Sequence, residues 1–295
     1  MNSFVQRFLF EDLPFRGAFV VLTDVWQTIS KQKEYPNGVS EFLGEFLAAN
    51  ILMTASIKLD GKITVQIQDN PKLDLIVSEC TNEFNVRATA KFTKSARTDE
   101  QIQYKDCLQG GNLVISIVAT EEGRLYQSII ALSKNESLAG LLDEYMLQSE
   151  QLPSVFIFAY TNNKIVGFLL QQMPEQTDNR AIDIKRIFNL VKDLNKSELL
   201  DEQVPMILRK LFIEDDIILF APEKVQFNCT CSREKVSNML RGLGRNEADS
   251  IINEEKIIRI SCDFCNARYE YNEEDVEIIF NSLYTDIESI SKEFH

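Results

Sequence analysis

The chain has 295 residues, of which 44% are hydrophobic, and it carries a formal net charge of −14. This length suits one large domain plus a smaller one, and the charge argues against nucleic acid or an anionic membrane as a partner, because both attract clustered lysine and arginine. The only histidine is His295, so a histidine-based triad, a histidine-ligated catalytic zinc and an imidazole general base are not expected.

Residues 1–175 predict an α+β domain that consists mostly of antiparallel sheet. Apolar runs bounded by Gly, Pro and Asn predict strands at residues 3–10, 16–22, 63–67, 73–77, 84–88, 113–119, 125–131, 155–160 and 165–170. Apolar residues at helical spacing predict a buried helix over residues 39–59. Ser137 is expected to cap a helix that runs to Ser149, and Thr161-Asn162-Asn163 to connect the last two strands as a hairpin.

Residues 176–228 predict two short amphipathic helices. Their apolar stripes are Ile184, Ile187, Phe188, Val191 and Leu194, and then Val204, Ile207, Leu208, Leu211 and Phe212. Pro205 suits a first helical position. Isolated helices of this length are marginal, so both are expected to dock on a neighbouring surface. We therefore predict three parts, an α+β domain at 1–175, a helical linker at 176–228 and a small domain at 229–295.

The last part contains four clustered cysteines. Cys229 and Cys231 form a C-x-C motif, Cys262 and Cys265 form a C-x-x-C motif, and thirty residues separate the two. Each pair can bind one ion from a tight turn, and two such turns complete a tetrahedral site. Without a usable histidine the complete ligand set is four cysteines, which leaves no position for water. We predict one zinc ion per chain, without a hydrolytic role.

The residues alone leave the role of this zinc open. A short domain has a thin core that a metal commonly stabilises, so the spacing by itself favours a purely structural zinc over a switch. A metal-free thiol–disulfide oxidoreductase is a third reading, but its C-x-x-C would usually open a helix, whereas residues 257–260 and 268–271 predict a hairpin. Cys80 and Cys107 are too isolated for a second site and are expected to be buried, inert thiols.

Several other functions are not expected. Residues 229–295 hold eight Lys/Arg against fourteen Asp/Glu, the wrong sign for binding phosphates. The chain contains neither of the glycine-rich motifs that bind phosphate groups, G-x-x-x-x-G-K-[ST] and G-x-G-x-x-G. No apolar stretch approaches the ~20 residues that span a membrane, and Met1–Leu9 lacks the layout of a signal peptide. We therefore expect a cytoplasmic protein that is not an enzyme.

The cysteine pattern and its flanks resemble the redox-regulated holdase family known as 33 kDa chaperonin. The C-terminal segments that carry the resemblance are Phe227–Glu234, Leu243–Arg245, Cys262–Cys265, Tyr269 and Asp275–Glu277. The N-terminal segments are Arg7–Asp12, Arg16-Gly17, Leu43–Glu45, Glu79–Thr81, Gly110-Gly111 and Ser149–Pro153. The similarity spans nearly the whole chain, and all four cysteine positions match.

This resemblance implies an ATP-independent chaperone in the stress response that an oxidant activates. The reduced form would be an inactive monomer that holds zinc on the four cysteines. Oxidation would join Cys229 with Cys231 and Cys262 with Cys265, zinc would leave, and the linker and C-terminal domain would unfold. Exposed apolar surface would then bind unfolding client proteins, and the oxidised form would be a homodimer. A constitutive binding protein with a purely structural zinc domain remains the alternative.

Overall fold

The computed structural model describes residues 2–58, 60–92, 102–119, 125–132, 137–174 and 181–281. The chain divides into two compact units, Met1–Asn228 and Cys229–His295. The three-part division predicted above is finer than this one and stays a prediction. Among the predicted features, residues 175–180 and His295 lie outside the described residues. Within the described ranges, no helix combines the length and the apolar character needed to cross a membrane.

The elements follow the α+β class predicted from the sequence. The strands are β1 (Phe4–Phe10), β2 (Phe15–Leu22), β3 (Gly61–Gln68), β4 (Leu73–Thr81), β5 (Asn85–Phe92), β6 (Asn112–Ala119), β7 (Leu125–Ala131), β8 (Ser154–Thr161), β9 (Lys164–Gln172), β10 (Ile217–Leu219), β11 (Glu223–Lys224), β12 (Gln226–Phe227), β13 (Ile258–Ser261) and β14 (Arg268–Tyr271). The α-helices are α1 (Asp24–Ser30), α2 (Asn37–Ser56), α3 (Leu138–Gln148), α4 (Ala181–Lys192), α5 (Lys196–Asp201), α6 (Val204–Leu211), α7 (Arg233–Leu243) and α8 (Arg245–Glu255). Residues 273–281 are also helical.

Two six-stranded sheets form the first unit. One has the order β10-β1-β2-β9-β8, with β11 also paired to β1, and the other has the order β12-β5-β4-β3-β6-β7. Their pairs are antiparallel except for the parallel pair of β12 with β5. β8 and β9 form the predicted hairpin, in which Thr161 pairs with Lys164.

Helix α2 is the centre of the first unit. It packs against strands of both sheets, and all its residues from Phe42 to Ser56 are buried. A helix that is apolar on all sides must be enclosed in this way. Its polar Asn50 is accommodated because the side-chain amide donates to the backbone carbonyls of Ser78 and Ile63, at 2.9 and 3.3 Å.

Helices α4, α5 and α6 cover the opposite face of the first sheet. Five of the buried sheet residues on that face are phenylalanines, and the rest are aliphatic: Phe8, Phe10, Phe15, Phe19 and Phe168, with Val21, Ala159, Val166 and Leu170. The helices bury the aliphatic residues Ile187, Val191, Leu194, Leu199, Val204, Ile207 and Leu208 against them, together with Phe212. The predicted apolar stripes therefore dock as expected, and Pro205 occupies the second position of α6 rather than the first.

The chain then returns from the helices to the sheets through three very short strands. β10 and β11 pair with β1, and β12 pairs with β5. The sequence pattern predicted a helical linker over residues 176–228 and did not predict these three strands. Runs of two or three residues are too short to show an alternation of apolar and polar side chains. The free edges of the longer strands determine where such short strands pair.

Asp143 of α3 makes the stability of the first unit depend on pH. It accepts a hydrogen bond of 2.7 Å from the backbone N–H of Phe156 on the edge strand β8, and burial raises the pKa of its carboxyl from 3.8 to about 7. Because the folded pKa lies above the unfolded pKa, ionisation opposes folding. This penalty is absent below about pH 4, grows up to about pH 7 and is constant above that.

Asp143→Asn should therefore be more stable than the parent at pH 8 and similar to it near pH 4, because the asparagine carbonyl can still accept the Phe156 N–H. Urea unfolding followed by the fluorescence of Trp26, the only tryptophan, measures this unit. The same pH dependence in both proteins would contradict the assignment.

Candidate metal centre

The second unit has a small core of its own. Its buried residues are Leu240, Ala248, Ile252, Ile258, Tyr271, Val276, Ile279 and Phe280. β13 and β14 form the predicted hairpin, in which Ile258 pairs with Tyr271 and Ser261 with Arg268. α7 and α8 occupy residues 233–255 of the thirty-residue spacer between the two cysteine motifs, a stretch to which the sequence pattern assigned no element. Few of their residues are buried.

The C-x-C motif lies in the loop between β12 and α7. Ser232 caps α7, and its side chain accepts a hydrogen bond from the backbone N–H of Lys235 at 3.2 Å. The Lys235 ammonium in turn donates to the carbonyl of Thr230, between the two cysteines, at 2.7 Å. The start of the helix thus fixes the loop that presents Cys229 and Cys231.

The C-x-x-C motif forms the turn of the β13–β14 hairpin. The Cys262 N–H donates to the Ala267 carbonyl at 2.9 Å, and the Asn266 N–H donates to the Cys262 carbonyl at 2.8 Å. Asn266 has a φ of 57°, a left-handed conformation that asparagine tolerates better than most residues. These bonds hold Cys262 and Cys265 in one tight turn.

The structure brings the four predicted ligand residues together. Their Sγ atoms all lie within 4.8 Å of one another. The Sγ atoms of Cys229 and Cys262 are 3.6 Å apart and those of Cys231 and Cys265 are 3.4 Å apart. A disulfide would require ~2.05 Å, so no disulfide joins these cysteines. Among the described residues, no other group of three or more Cys, His, Asp or Glu side chains converges in this way.

This donor set fits zinc. An ion bound tetrahedrally at a Zn–S distance of ~2.3 Å requires sulfurs ~3.8 Å apart, and the separations above bracket that value. Four sulfur donors favour a soft or borderline ion such as zinc, whereas calcium and magnesium require oxygen. All four cysteines are half-buried, so the ion would be partly shielded from water but within reach of a small oxidant.

Tyr269 is a contact to the cluster to which sequence reasoning gave no role. Its hydroxyl donates to the Sγ of Cys231 at 3.1 Å, and this bond lowers the pKa of Cys231 to about 7. Burial raises the pKa of Cys229, and raises that of Cys265 to about 12. A divalent cation would favour the thiolate form of all four.

Arg233 connects the start of α7 to the rest of the unit. Its guanidinium donates to the carbonyl of Glu270 at 3.0 Å and pairs with Asp275 at 2.8 Å. It also lies 4.4 Å from the ring centroid of Tyr271, whose hydroxyl donates to the Arg233 carbonyl at 3.0 Å. These contacts link the two cysteine-bearing segments beside the cluster, but most of them are partly exposed and each contributes little free energy.

Cys80 and Cys107 lie in the first unit and take no part in the cluster. Both are fully buried, as the sequence predicts. Burial raises the pKa of each thiol to about 12. Since the thiolate is the form that reacts with oxidants, these two cysteines are poor targets compared with the cluster.

Comparison with known proteins agrees with this architecture. The family model described as Hsp33 protein matches residues 3–272. The chain is 36% identical to the 33 kDa chaperonin of Methylobacillus flagellatus, over 96% of each chain. It is 38% identical to that of Chromobacterium violaceum, over 94% of this chain and 93% of the relative. The crystal structure of the 33 kDa chaperonin from Thermotoga maritima covers 97% of this chain with a TM-score of 0.82 at 21% identity, which supports the fold.

Proposed function

This chain belongs to the Hsp33 family of chaperones, and on that premise we propose that it is an ATP-independent holdase that oxidation of its zinc-binding cysteines activates. The observation that carries the proposal is the convergence of the four Sγ atoms within 4.8 Å. The cluster lies in a unit whose buried core has only eight residues among those described.

Cys229, Cys231, Cys262 and Cys265 would hold the ion in the reduced protein. Zinc, when bound, supplies a cross-link between the C-x-C loop and the hairpin that is worth an apparent ~10–16 kcal/mol in small domains. The total stability of a domain is only about 5–15 kcal/mol. A unit with so small a core therefore depends on its four sulfurs for its fold.

Oxidation removes the ligands. Two cysteine thiolates give two electrons to hydrogen peroxide, and solvent supplies two protons. One S–S bond forms, and the O–O bond breaks to yield two water molecules. The family resemblance implies the pairs Cys229–Cys231 and Cys262–Cys265. Both pairs lie within the 4.8 Å limit, so little movement is needed before a disulfide of ~2.05 Å can form. Sulfur in a disulfide is no longer a thiolate ligand.

Unfolding would pass to the first unit through the chain itself. One residue, Asn228, separates β12 from Cys229, and it still donates its N–H to the Val86 carbonyl. Once the C-x-C loop is released, the two- and three-residue strands β10–β12 have little to hold them. Helices α4–α6, which precede these strands, would then separate from the sheet and expose its phenylalanine-rich face. Unfolded client proteins would bind there through apolar contact.

The thiol chemistry and the net charge also bear on the location, the solubility and the oligomeric state of the protein. Four thiols that must stay reduced to bind metal suit the reducing cytoplasm. The large negative charge would keep the opened, apolar form in solution. We expect a monomer in the reduced state. After oxidation we expect a homodimer, because the exposed apolar faces of two chains can pack against each other.

A client-aggregation assay tests this function. The zinc-loaded, reduced protein should leave the aggregation of a heat-denatured client unchanged, and the same protein treated with peroxide under mild heat should suppress it. Reductant should be present in one arm, and free thiols and released zinc should be counted in both. Equal suppression in both arms would instead favour a constitutive binding protein with a structural zinc. Metal-free catalytic turnover of a disulfide substrate would favour the oxidoreductase.

A further inference from the structure

A partly enclosed cavity lies in the first unit, at the C-terminal end of α2 and beside β1, β2 and β9. Its volume is about 280 Å³, and its wall includes Arg7, Arg16, Ala55 and Gln171. A smaller cavity of about 70 Å³ shares Arg16, Ser56 and Gln171 with it. The candidate metal centre contributes no residue to either wall, so this space is unrelated to the zinc proposal.

The larger cavity has a positive wall. Its lining residues include two arginines and no aspartate or glutamate. Arg7 is largely neutralised, because Glu223 lies 2.6 Å from it. Arg16 is half-buried, and in the described part of the chain its guanidinium donates hydrogen bonds to Gln171 alone. Burial lowers the pKa of its guanidinium, consistent with a cation that has lost water without gaining an anion.

The Arg16 side chain is held in place. Its Nε and Nη2 donate to Oε1 of Gln171 at 2.9 and 2.5 Å. Gln171 is 1% exposed, and its Nε2 donates to Oγ of Ser154 at 3.2 Å. Ser154 in turn donates to the carbonyl of Leu152 at 2.8 Å. Two of the five guanidinium N–H groups are thus used for positioning, and the other three can bind an acceptor.

We propose that this cavity binds a small monocarboxylate with a short apolar body, its carboxylate on Arg16. One uncompensated guanidinium matches one negative charge, and its planar fork matches a carboxylate. The rest of the wall is mainly apolar, including Leu9, Leu169 and Met173. The volume is just below the range of drug-sized sites, which begins at ~300 Å³, so the body must be short.

The end of α2 offers a competing role for Arg16. The last turn of α2 contains no basic residue, and Ala55 and Ser56 of that turn line the cavity. A cation near a helix C-terminus is stabilising in its own right. Stabilising the helix end requires the positive charge of Arg16 but not the cavity beside it. Ligand binding, and a variant that fills the cavity, therefore distinguish a helix-stabilising role from a ligand-binding role.

Calorimetric titration of the reduced, zinc-loaded full-length protein with octanoate tests the proposal, with octanol as the neutral probe of equal chain length. We expect octanoate to bind and octanol to bind at least about tenfold more weakly, because a charged hydrogen bond is lost. Arg16→Gln should reduce octanoate affinity by a similar factor. Arg209→Gln, which changes an exposed arginine of the same unit away from the cavity, should leave it unchanged.

Ala55→Leu provides a second variant, which keeps Arg16 and fills the space beside it. It should abolish octanoate binding while Trp26 fluorescence confirms that the unit is folded. The inference is overturned if octanoate does not bind the parent protein, or if octanol binds equally well. It is also overturned if Arg16→Gln or Ala55→Leu, once shown to be folded, binds octanoate as the parent does. The only role left for Arg16 would then be to stabilise the C-terminal end of α2.

Discussion

Replacing Cys262 and Cys265 with serine should abolish zinc binding and unfold residues 229–281 while both sheets of the first unit stay folded. The two remaining thiols cannot complete a tetrahedral site, so the ~10–16 kcal/mol that the metal supplies is lost. The core that remains is centred on Tyr271 and seven smaller or less buried apolar residues. This is less than a domain of that size needs to fold without a metal or a disulfide.

Limited proteolysis and zinc content measure this outcome. Trypsin should cut the variant within the second unit, for example after Arg259 or Arg268, at sites that are protected in the parent. Trp26, fully buried in the first unit, should keep its emission maximum. The matched control is Cys80→Ala with Cys107→Ala, which removes two thiols outside the cluster and should leave zinc content unchanged. A zinc-free variant with a protease-resistant second unit would contradict the account.

Replacing Phe212 with alanine should make the reduced protein an active holdase. Phe212 is 2% exposed, and its ring centroid lies 4.8 Å from that of Phe10 and 6.3 Å from that of Phe8. Removing a buried phenylalanine costs about 3–5 kcal/mol. The short helices α4–α6 depend on such contacts with the sheet. This loss should therefore populate a state in which α4–α6 are detached from the first sheet, without any change at the cysteines.

The control for this variant lies on the same helix. Met206→Ala changes an outward-facing residue of α6 that is 53% exposed, so it should leave the reduced protein inactive. Both variants should retain one zinc per chain, and suppression of client aggregation in reductant should separate them. If hydrogen exchange shows the α4–α6 layer open in Phe212→Ala and the protein still fails to hold clients, the phenylalanine-rich face is not the binding surface.

Local patterns predicted those parts of the fold that short-range physics determines. The hairpin between β8 and β9 follows from two apolar runs and a polar turn, and the Ser137 side chain accepts the predicted capping bond, from the Gly140 N–H at 3.2 Å. The stripes of α4 and α6 were visible because each helix has one buried face and one solvated face. The cysteine spacing predicted which four residues would converge.

Other parts depend on contacts distant in sequence and could not be read locally. Strands β10–β12 exist because β1 and β5 offer free edges. Phe84 was assigned to a strand, but its φ is 57°, so the strand begins one residue later. The pairing of Arg16 with Gln171 joins residues 155 positions apart, a contact that only the register of β2 with β9 creates.

Hydrogen exchange of the full-length protein tests the central claim most directly, before and after peroxide treatment that oxidises all four clustered thiols and releases zinc. We predict that peptides from residues 229–281 lose their protection, that those from 181–212 follow, and that β3, β4 and β6 keep theirs. Retained protection in residues 229–281 after verified loss of zinc would contradict the account, because the fold of the second unit would then not depend on the sulfurs that hold the ion.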